Sequence, residues 1–388
     1  MRTNLFAGAL VPPAVKLPGI HGLRAVAALS VLVMHIAAGL LMVDPAPRSG
    51  LTSGLLDLGG TGVHLFFVLS AFSLANSASL NRDGIAEYGI KRLFRIAPLY
   101  YVLLVFQQVW QGPSSLVENI LDASFLFNLA PDLATGIVFG GWTVGVEMLF
   151  YATLPILLVA CRSLRSLGLL ARGGFLVSWA AHRSISVTWG ANVPPFQNYA
   201  TFSFASNIGA FCVGLLAHGL YRQCAGNRQI ARLALMLAAA LFVAVVSSPF
   251  LYQFAAPGRP AVLVLFLAYG LLCLSQAIRP SWLTTNAVMQ HIGERSFSVY
   301  LVQMPIIVWL GPIFVRIEAH LGGFTLWSYG TGVVLTMPLV LIVANLAYHL
   351  VEVPGVNLGR RLIARRQDRR AFEAAASGRY VAAAGLER

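Results

Sequence analysis

Apolar stretches of about twenty residues recur along the whole chain, and they constrain its fold more than any other feature of the sequence. A stretch of this length, wound as an α-helix, is long enough to cross the hydrocarbon core of a bilayer. We predict spans at residues 22–43, 58–80, 95–112, 142–161, 166–181, 201–221, 229–248, 260–278, 296–316 and 326–350. The predicted fold is therefore all-α, a polytopic integral membrane bundle of about ten transmembrane helices.

The composition agrees with a membrane protein and excludes a soluble enzyme. Hydrophobic residues make up 57% of the 388 residues and charged residues only 11%, with a mean hydropathy of +0.74, whereas soluble domains carry about 25% charged residues. The four cysteines form no C-x-x-C pair and lie in or beside apolar stretches. This favours packing residues over a disulfide framework or a metal site, so we expect no bound metal.

The chain divides into a membrane domain and a basic tail. We predict that residues 1–359 form the membrane domain and that the polar, Arg-rich residues 360–388 form a cytoplasmic tail. The tail could be solvated, or it could be a surface helix that contacts anionic lipid. The first span is too long for the apolar region of a signal peptide, and no small-residue cleavage site follows it, so we expect it to remain as a signal anchor.

Membrane topology explains the net charge of +13. Most of the 27 Lys and Arg residues fall in loops on one side of the predicted bundle, and four arginines fall in loops on the other side, namely Arg48, Arg183, Arg259 and Arg316. Because cytoplasmic loops are enriched in Lys and Arg, we expect both termini to be cytoplasmic, in a bacterial cytoplasmic (inner) membrane. The positive charge then needs no nucleic-acid partner.

Ionisable side chains inside spans are costly and mark candidate functional sites. Among the 14 acidic residues only Glu147 lies well inside a span, and among the 8 histidines His35 and His64 are embedded. Counting about 1.5 Å per residue from the span ends places all three at a similar depth. Two imidazoles and a carboxylate at one level could form a general base oriented by an acid, although a structural cluster of buried polar groups would give the same pattern.

Three arginines lie where an anionic ligand could bind from the cytoplasm. Arg24 precedes His35 by eleven residues, which returns to the same helix face about 16 Å away. Arg92 and Arg95 share a face if the third helix begins early, and paired guanidinium forks suit phosphate. Arginines that only fix topology would occupy the same positions.

Six segments resemble motifs of the membrane acyltransferase-3 family, in the family's order. They are LPGIHGLRAVAALSVLVMHI with its R-x10-H pair, GVHLFFVLSAF, KRLFRIAPLY, WTVGVEMLFY, SFSVYLVQMP and VEVPG. Together they cover about residues 17–360. The resemblance implies a ten-helix membrane enzyme that transfers an acyl group, often acetyl, from cytoplasmic acyl-CoA (acetyl-CoA) to a hydroxyl of a glycan or a lipid-linked saccharide.

The resemblance also implies roles for individual residues. His35 matches the catalytic histidine and Arg24 its partner arginine, while Arg92 and Arg95 match a pair associated with acyl-CoA. Trp142 and Glu147 match the fourth-helix motif. The expected catalytic residues are thus His35, Glu147 and Arg24, and the expected acyl-CoA ligands are Arg24, Arg92 and Arg95.

One departure from the family pattern concerns the ninth helix. Gln303 stands where the family often has histidine, and an amide can form hydrogen bonds but cannot titrate. We expect His64, Trp142 and Gln303 to contact substrate. The serines Ser70 and Ser73 lack a G-x-S-x-G context, so we expect them to be packing residues.

Alternatives remain open for the mechanism and for the function. His35 could act as a general base in direct transfer or could carry the acyl group itself. A proton-coupled transporter or flippase for a glycolipid or small anion could use His35, His64 and Glu147 as a relay, although no internal repeat is detectable. A scaffold subunit without activity is a third alternative, and the sequence leaves homo-oligomerisation open.

Overall fold

The computed structural model describes residues 17–41, 58–77, 79–189, 196–247, 261–323 and 325–385, and within these ranges it contains helices and no strand. The helices are α1 (Pro18–Leu41), α2 (Gly62–Asn76), α3 (Ser79–Gln111), α4 (Leu116–Ala123), α5 (Trp142–Ala160), α6 (Leu164–Trp189), α7 (Phe196–Phe202), α8 (Phe204–Cys224), α9 (Arg228–Ser247), α10 (Ala261–Ile278), α11 (Trp282–Thr285), α12 (Ala287–Glu294), α13 (Ser296–Trp309), α14 (Gly311–Leu321), α15 (Leu326–Ala347) and α16 (Val353–Gly385). Short 3₁₀ turns at Phe127–Leu129 and Pro131–Leu133 connect α4 to α5, and a π-helical turn at Tyr348–Glu352 joins α15 to α16.

The prediction of an all-α membrane bundle is confirmed, whereas the count of ten spans is not. Seven helices of the described ranges are long and apolar enough to cross a bilayer, and the pair α13 and α14, bent by 63°, would make an eighth. The helix α10 falls slightly short in length. The helix α6 has 26 residues, but Arg165, Arg172 and Arg183 interrupt its apolar surface.

The helix α1 lies at the centre of the bundle. Leu23, Ala27 and Val31 pack into a large core shared with α2, α3, α8 and α10, while Leu32 and Ile36 pack toward α13 and α15. Most of the apolar side chains of α1 are therefore buried, as expected for a helix that is largely apolar around its circumference. The central position of α1 holds the residues it carries on a rigid scaffold.

Glycines bring α11 and α12 into backbone contact with the first half of α1. A Cβ atom on Gly22 would overlap the carbonyl group of Thr284, and one on Gly293 would overlap the carbonyl group of His21. Small residues at helix crossings permit this close approach within membranes. The contacts fix α1 around Arg24.

The helix α16 packs along the first half of α3. A Cβ atom on Gly355 would overlap the ring of Pro98, and one on Gly359 would lie 2.7 Å from Cβ of Phe94. Further along α16, Arg370 donates a 2.7 Å hydrogen bond to the buried carboxylate of Glu87. The helix α16 therefore supports the segment of α3 that carries Arg92 and Arg95.

The helix α3 begins earlier than the third predicted span. Gly84 has a φ of 81° and interrupts the helical geometry near its start, a backbone conformation that glycine adopts readily. From there the helix continues to Gln111. Arg92 and Arg95 thus lie within one helix, which is the condition under which residues three apart share a helix face.

Candidate active site

Two cavities lie in the centre of the bundle. The first has a volume of about 660 Å³ and is called here the histidine cavity; its lining includes His35, His64, Trp142, Tyr300 and Met304. The second has a volume of about 100 Å³ and is called here the arginine cavity; its lining includes Arg24, Arg92, Arg95, Ser70, Glu147 and Tyr151. Every charged or hydrogen-bonding residue expected at the site, except Gln303, lines one of the two.

The two cavities are stacked along the helix axes. Helices α1, α2, α5 and α13 are among those that contribute to both cavities, with His35 and Arg24 on α1, His64 and Ser70 on α2, Trp142 and Glu147 on α5, and Met304 and Phe297 on α13. The members of each pair lie five to eleven residues apart, or about 8–16 Å along a helix. One cavity therefore lies above the other in the direction in which the helices cross the bundle.

His35 has a buried ring nitrogen that forms no hydrogen bond with the described residues. Its Nδ1 atom is buried and has no hydrogen-bond partner within the described part of the chain. The polar side chain that interacts with the imidazole is Gln303 on α13. Gln303 is fully buried, and neither of its amide atoms reaches a described partner at hydrogen-bond distance, so the interaction with His35 is looser than a standard hydrogen bond.

His64 lies across the histidine cavity among aromatic rings. Its ring centroid is 5.2 Å from that of Phe266 and 6.3 Å from that of Phe67, and its imidazole interacts with the side chain of Asn207. The Nδ1 atom of His64 is also buried without a described partner. The structure thus brings the two predicted histidines to one cavity.

Trp142 provides an aromatic wall of the histidine cavity. Its indole stacks on Phe202, with centroids 4.3 Å apart and planes 21° from parallel, and meets Phe67 edge-on at 6.0 Å. Because Trp142 is the first residue of α5, its ring lies where the helix starts. A fixed flat apolar surface of this kind can stack on the apolar face of a ligand.

Glu147 belongs to the arginine cavity rather than to the histidine cavity. Its Oε1 atom accepts a 2.5 Å hydrogen bond from Ser70 and another of 2.5 Å from Tyr151. Arg24 is among its charged neighbours. In the described contacts nothing joins Glu147 to His35, so the expected common level of His35, His64 and Glu147 is not observed, and Gln303 takes the place beside His35.

The three arginines of the arginine cavity differ in how far they are neutralised. Arg95 forms an ion pair with Glu352, which also accepts a 2.8 Å hydrogen bond from Ser298. Arg92 lies over the ring of Tyr88 at 5.8 Å, and its buried Nε atom has no partner among the described residues. Three guanidinium groups thus face Glu147, the one carboxylate among the described residues that line this cavity, and this excess of positive charge can bind an anion.

Sequence reasoning missed several residues of the two cavities. Asp122 on α4 lines the histidine cavity, where it accepts hydrogen bonds from Tyr100 at 2.6 Å and from the Ile137 backbone N–H at 3.0 Å. Burial raises the pKa of this carboxyl above its usual range, and the two hydrogen bonds oppose that rise. Ser70 was expected to be a packing residue, yet it bonds Glu147. No local sequence motif predicts a role for Asp122, whereas Ser70 lies in GVHLFFVLSAF, one of the six segments that resemble the family.

Tyr300 was also missed, although a signal for it exists. It lines both cavities and lies three residues before Gln303 on α13. Residues three apart share a helix face. The position of Gln303 therefore could have directed attention to Tyr300.

Comparisons with known proteins agree on one family. A family model described as an acyltransferase domain matches residues 17–348. The acyltransferase MdmB of Streptomyces mycarofaciens is 28% identical, with 90% of this chain and 94% of the relative covered. Nodulation protein 10 of Rhizobium leguminosarum bv. viciae is 25% identical, with 89% and 94% covered.

A third relative is longer than this chain. YrhL of Bacillus subtilis (strain 168), whose name describes a candidate peptidoglycan O-acetyltransferase, is 25% identical over 90% of this chain but only 56% of its own length. No solved structure matches the chain.

Proposed function

The chain belongs to the acyltransferase-3 family of multi-pass membrane O-acyltransferases, and from this premise we propose that it transfers an acyl group, in the first place acetyl, from acyl-CoA to a hydroxyl of a carbohydrate or glycolipid. The observation that carries the proposal is the stacking of a cationic cavity against a cavity with two imidazole nitrogens that have no hydrogen-bond partner in the described part of the chain. The first suits a phosphorylated donor, and the second suits the removal of a proton from an acceptor.

The donor binds through the arginine cavity. Arg24 and Arg92 supply guanidinium groups for the phosphates of acyl-CoA, and Arg95 adds to them although Glu352 neutralises part of its charge. With the positive-inside orientation this cavity faces the cytoplasm of a bacterium, where acyl-CoA is made. The narrow pantetheine arm then points along the helix axes toward His35, about 16 Å from Arg24.

The acceptor reacts in the histidine cavity. The acceptor hydroxyl attacks the thioester carbonyl while the His35 imidazole takes its proton, the C–S bond breaks, and the leaving thiolate takes the proton from the imidazolium. An acyl-histidine intermediate gives the same products in two steps. A base in this position typically contributes about 10² to 10⁴ in rate.

The remaining residues position these groups. Gln303 orients the His35 ring, and Trp142 and His64 form the surfaces against which the acceptor lies. Glu147, held by Ser70 and Tyr151, limits the repulsion among the three arginines and fixes their side chains. The YrhL relative, named for a peptidoglycan activity, supports a polysaccharide acceptor, and the aromatic wall of the cavity is compatible with one.

The test uses the full chain reconstituted in lipid nanodiscs with isotopically labelled acyl-CoA. We expect free thiol to appear only when a saccharide acceptor is present, with the label on the acceptor. His35→Ala should bind acyl-CoA and fail to transfer, whereas His320→Ala, at an exposed histidine of α14 outside both cavities, should retain activity. Normal transfer by His35→Ala would overturn the catalytic role. Uptake of a solute without any thiol release would favour the transporter.

A further inference from the structure

Tyr300 stands at the boundary between the two cavities. Among the described residues, Val63 and Tyr300 are the two that line both. On α13 the residues before Tyr300, such as Phe297, line the arginine cavity, and Met304 after it lines the histidine cavity. The tyrosine thus lies at the height where one cavity ends and the other begins.

The tyrosine ring is fixed at both ends. Its ring forms a T-shaped contact with that of Phe66, with centroids 5.9 Å apart and planes at 73°. Its hydroxyl donates a 3.2 Å hydrogen bond to the carbonyl of Gly140 in the segment that precedes α5. Gly140 has a φ of 72°, and a Cβ atom there would lie 3.4 Å from the tyrosine oxygen, in ordinary van der Waals contact. The side chain therefore spans the gap between α13 and the start of α5.

We propose that Tyr300 is the partition between the donor and acceptor compartments and that its tether to Gly140 suppresses the transfer of acyl groups to water. This inference rests on the proposed function. Acyl transfer needs the donor arm to pass the height of Tyr300, so the ring has to move before the thioester reaches His35. Until the acceptor has bound, the ring stays in place and holds the thioester on the side of the arginine cavity, away from the water of the larger cavity.

The side reaction is hydrolysis. A water molecule attacks the thioester carbonyl, the C–S bond breaks, and the products are a free carboxylic acid and the thiol of CoA. Tyr300→Phe keeps the ring but loses the tether to Gly140. Since a neutral hydrogen bond contributes about 1 kcal/mol, which corresponds to about a fivefold change in an opening equilibrium, we expect the ratio of hydrolysis to transfer to rise about fivefold. Tyr300→Ala, which removes the ring, should raise it further.

The kinetic test compares thiol release with and without the acceptor for these variants, together with the amount of acylated acceptor. The matched control is Tyr329→Phe, because Tyr329 also donates its hydroxyl to a backbone carbonyl, that of Val33 at 3.3 Å, but lines neither cavity. We expect the control to keep the wild-type ratio. Thermal stability and acyl-CoA affinity, measured in parallel, identify a variant that has simply lost its fold.

A second measurement tests the partition without any acyl transfer. Ser70→Cys, in a background without the four native cysteines, places a thiol in the arginine cavity. In sealed proteoliposomes, a small impermeant thiol reagent added on the histidine-cavity side should label it slowly with Tyr300 present and several-fold faster with Tyr300→Ala. Equal labelling rates, or an unchanged hydrolysis ratio in both Tyr300 variants, would overturn the partition. Loss of all transfer in the wild type with the labelling difference intact would overturn the proposed function alone.

Discussion

Replacing Gln303 with leucine should make the protein more stable and less active. Gln303 is fully buried, and both of its amide atoms lack a described partner at hydrogen-bond distance. A buried polar group without a partner costs about 1–3 kcal/mol, and leucine is an apolar side chain of similar size. We therefore expect Gln303→Leu to stabilise the protein by about 1–3 kcal/mol, which raises the Tm by a few degrees.

The expected effect of the same substitution on activity has the opposite sign. The imidazole of His35 interacts with Gln303, and since a standard hydrogen bond contributes about 1 kcal/mol, the loss of this looser orienting contact should lower kcat by at most about fivefold. Stabilised variants that lose activity are common at sites that keep a costly polar group for function. KM for acyl-CoA should not change, because Gln303 does not line the arginine cavity.

The assay combines a melting curve in detergent with initial rates at saturating acyl-CoA and acceptor. The matched control is Gln107→Leu, because Gln107 is also buried, has an amide nitrogen without a partner among the described residues and lines neither cavity. It should raise the Tm without lowering kcat. A lower Tm for Gln303→Leu, or an unchanged kcat, would refute the reasoning about this residue.

Three further predictions concern the arginine cavity and the support of α3. Arg92→Ala should raise KM for acyl-CoA about tenfold or more, since a hydrogen bond to a charged group contributes about 1.5–3 kcal/mol. Arg95→Ala should raise KM less, because Glu352 already neutralises Arg95. Salt-dependent kinetics measure KM for both variants, and equal increases would contradict this prediction. Glu147→Gln should lower KM for acyl-CoA, because it removes the negative charge that offsets the three arginines. A large loss of kcat at unchanged KM would instead support the sequence-based expectation that Glu147 orients His35. Gly355→Ala should destabilise the protein by about 1–3 kcal/mol, because the added Cβ atom overlaps Pro98. The control Gly330→Ala, where a Cβ atom meets no described atom within 4 Å, should leave the Tm unchanged or higher. Equal melting temperatures for the two variants would contradict the packing of α16 on α3.

The fold class and the separation of Arg24 from His35 could be predicted from the sequence for simple reasons. Helix length follows from the length of an apolar stretch, and the separation of Arg24 and His35 follows from the rise of a single helix. Because both residues lie on α1, no knowledge of how helices pack was needed. The count of spans was less accessible, since α6 mixes arginines into its apolar surface and α13 bends sharply into α14.

The position of Glu147 relative to His35 could not be predicted, because hydropathy gives the residue at which a span begins but not where that residue lies relative to the other helices. The chain before α5 forms 3₁₀ turns and then passes Gly140, whose carbonyl bonds to Tyr300 in the middle of the bundle. Trp142 therefore starts α5 at the level of the histidine cavity, and Glu147 lies about 8 Å further along. A connecting segment that enters the bundle in this way leaves no signature in the apolar pattern of a span.

The most direct test of the central claim is mass spectrometry of surface glycans and glycolipids from cells that express the protein, compared with cells that express His35→Ala at the same level. We predict a mass increment of one acyl group on a saccharide, present with the intact histidine and absent with the variant. The size of the increment would identify the acyl group, and the molecule that carries it would identify the acceptor. An increment of equal abundance in both strains would contradict the account of His35 as the residue at which transfer occurs.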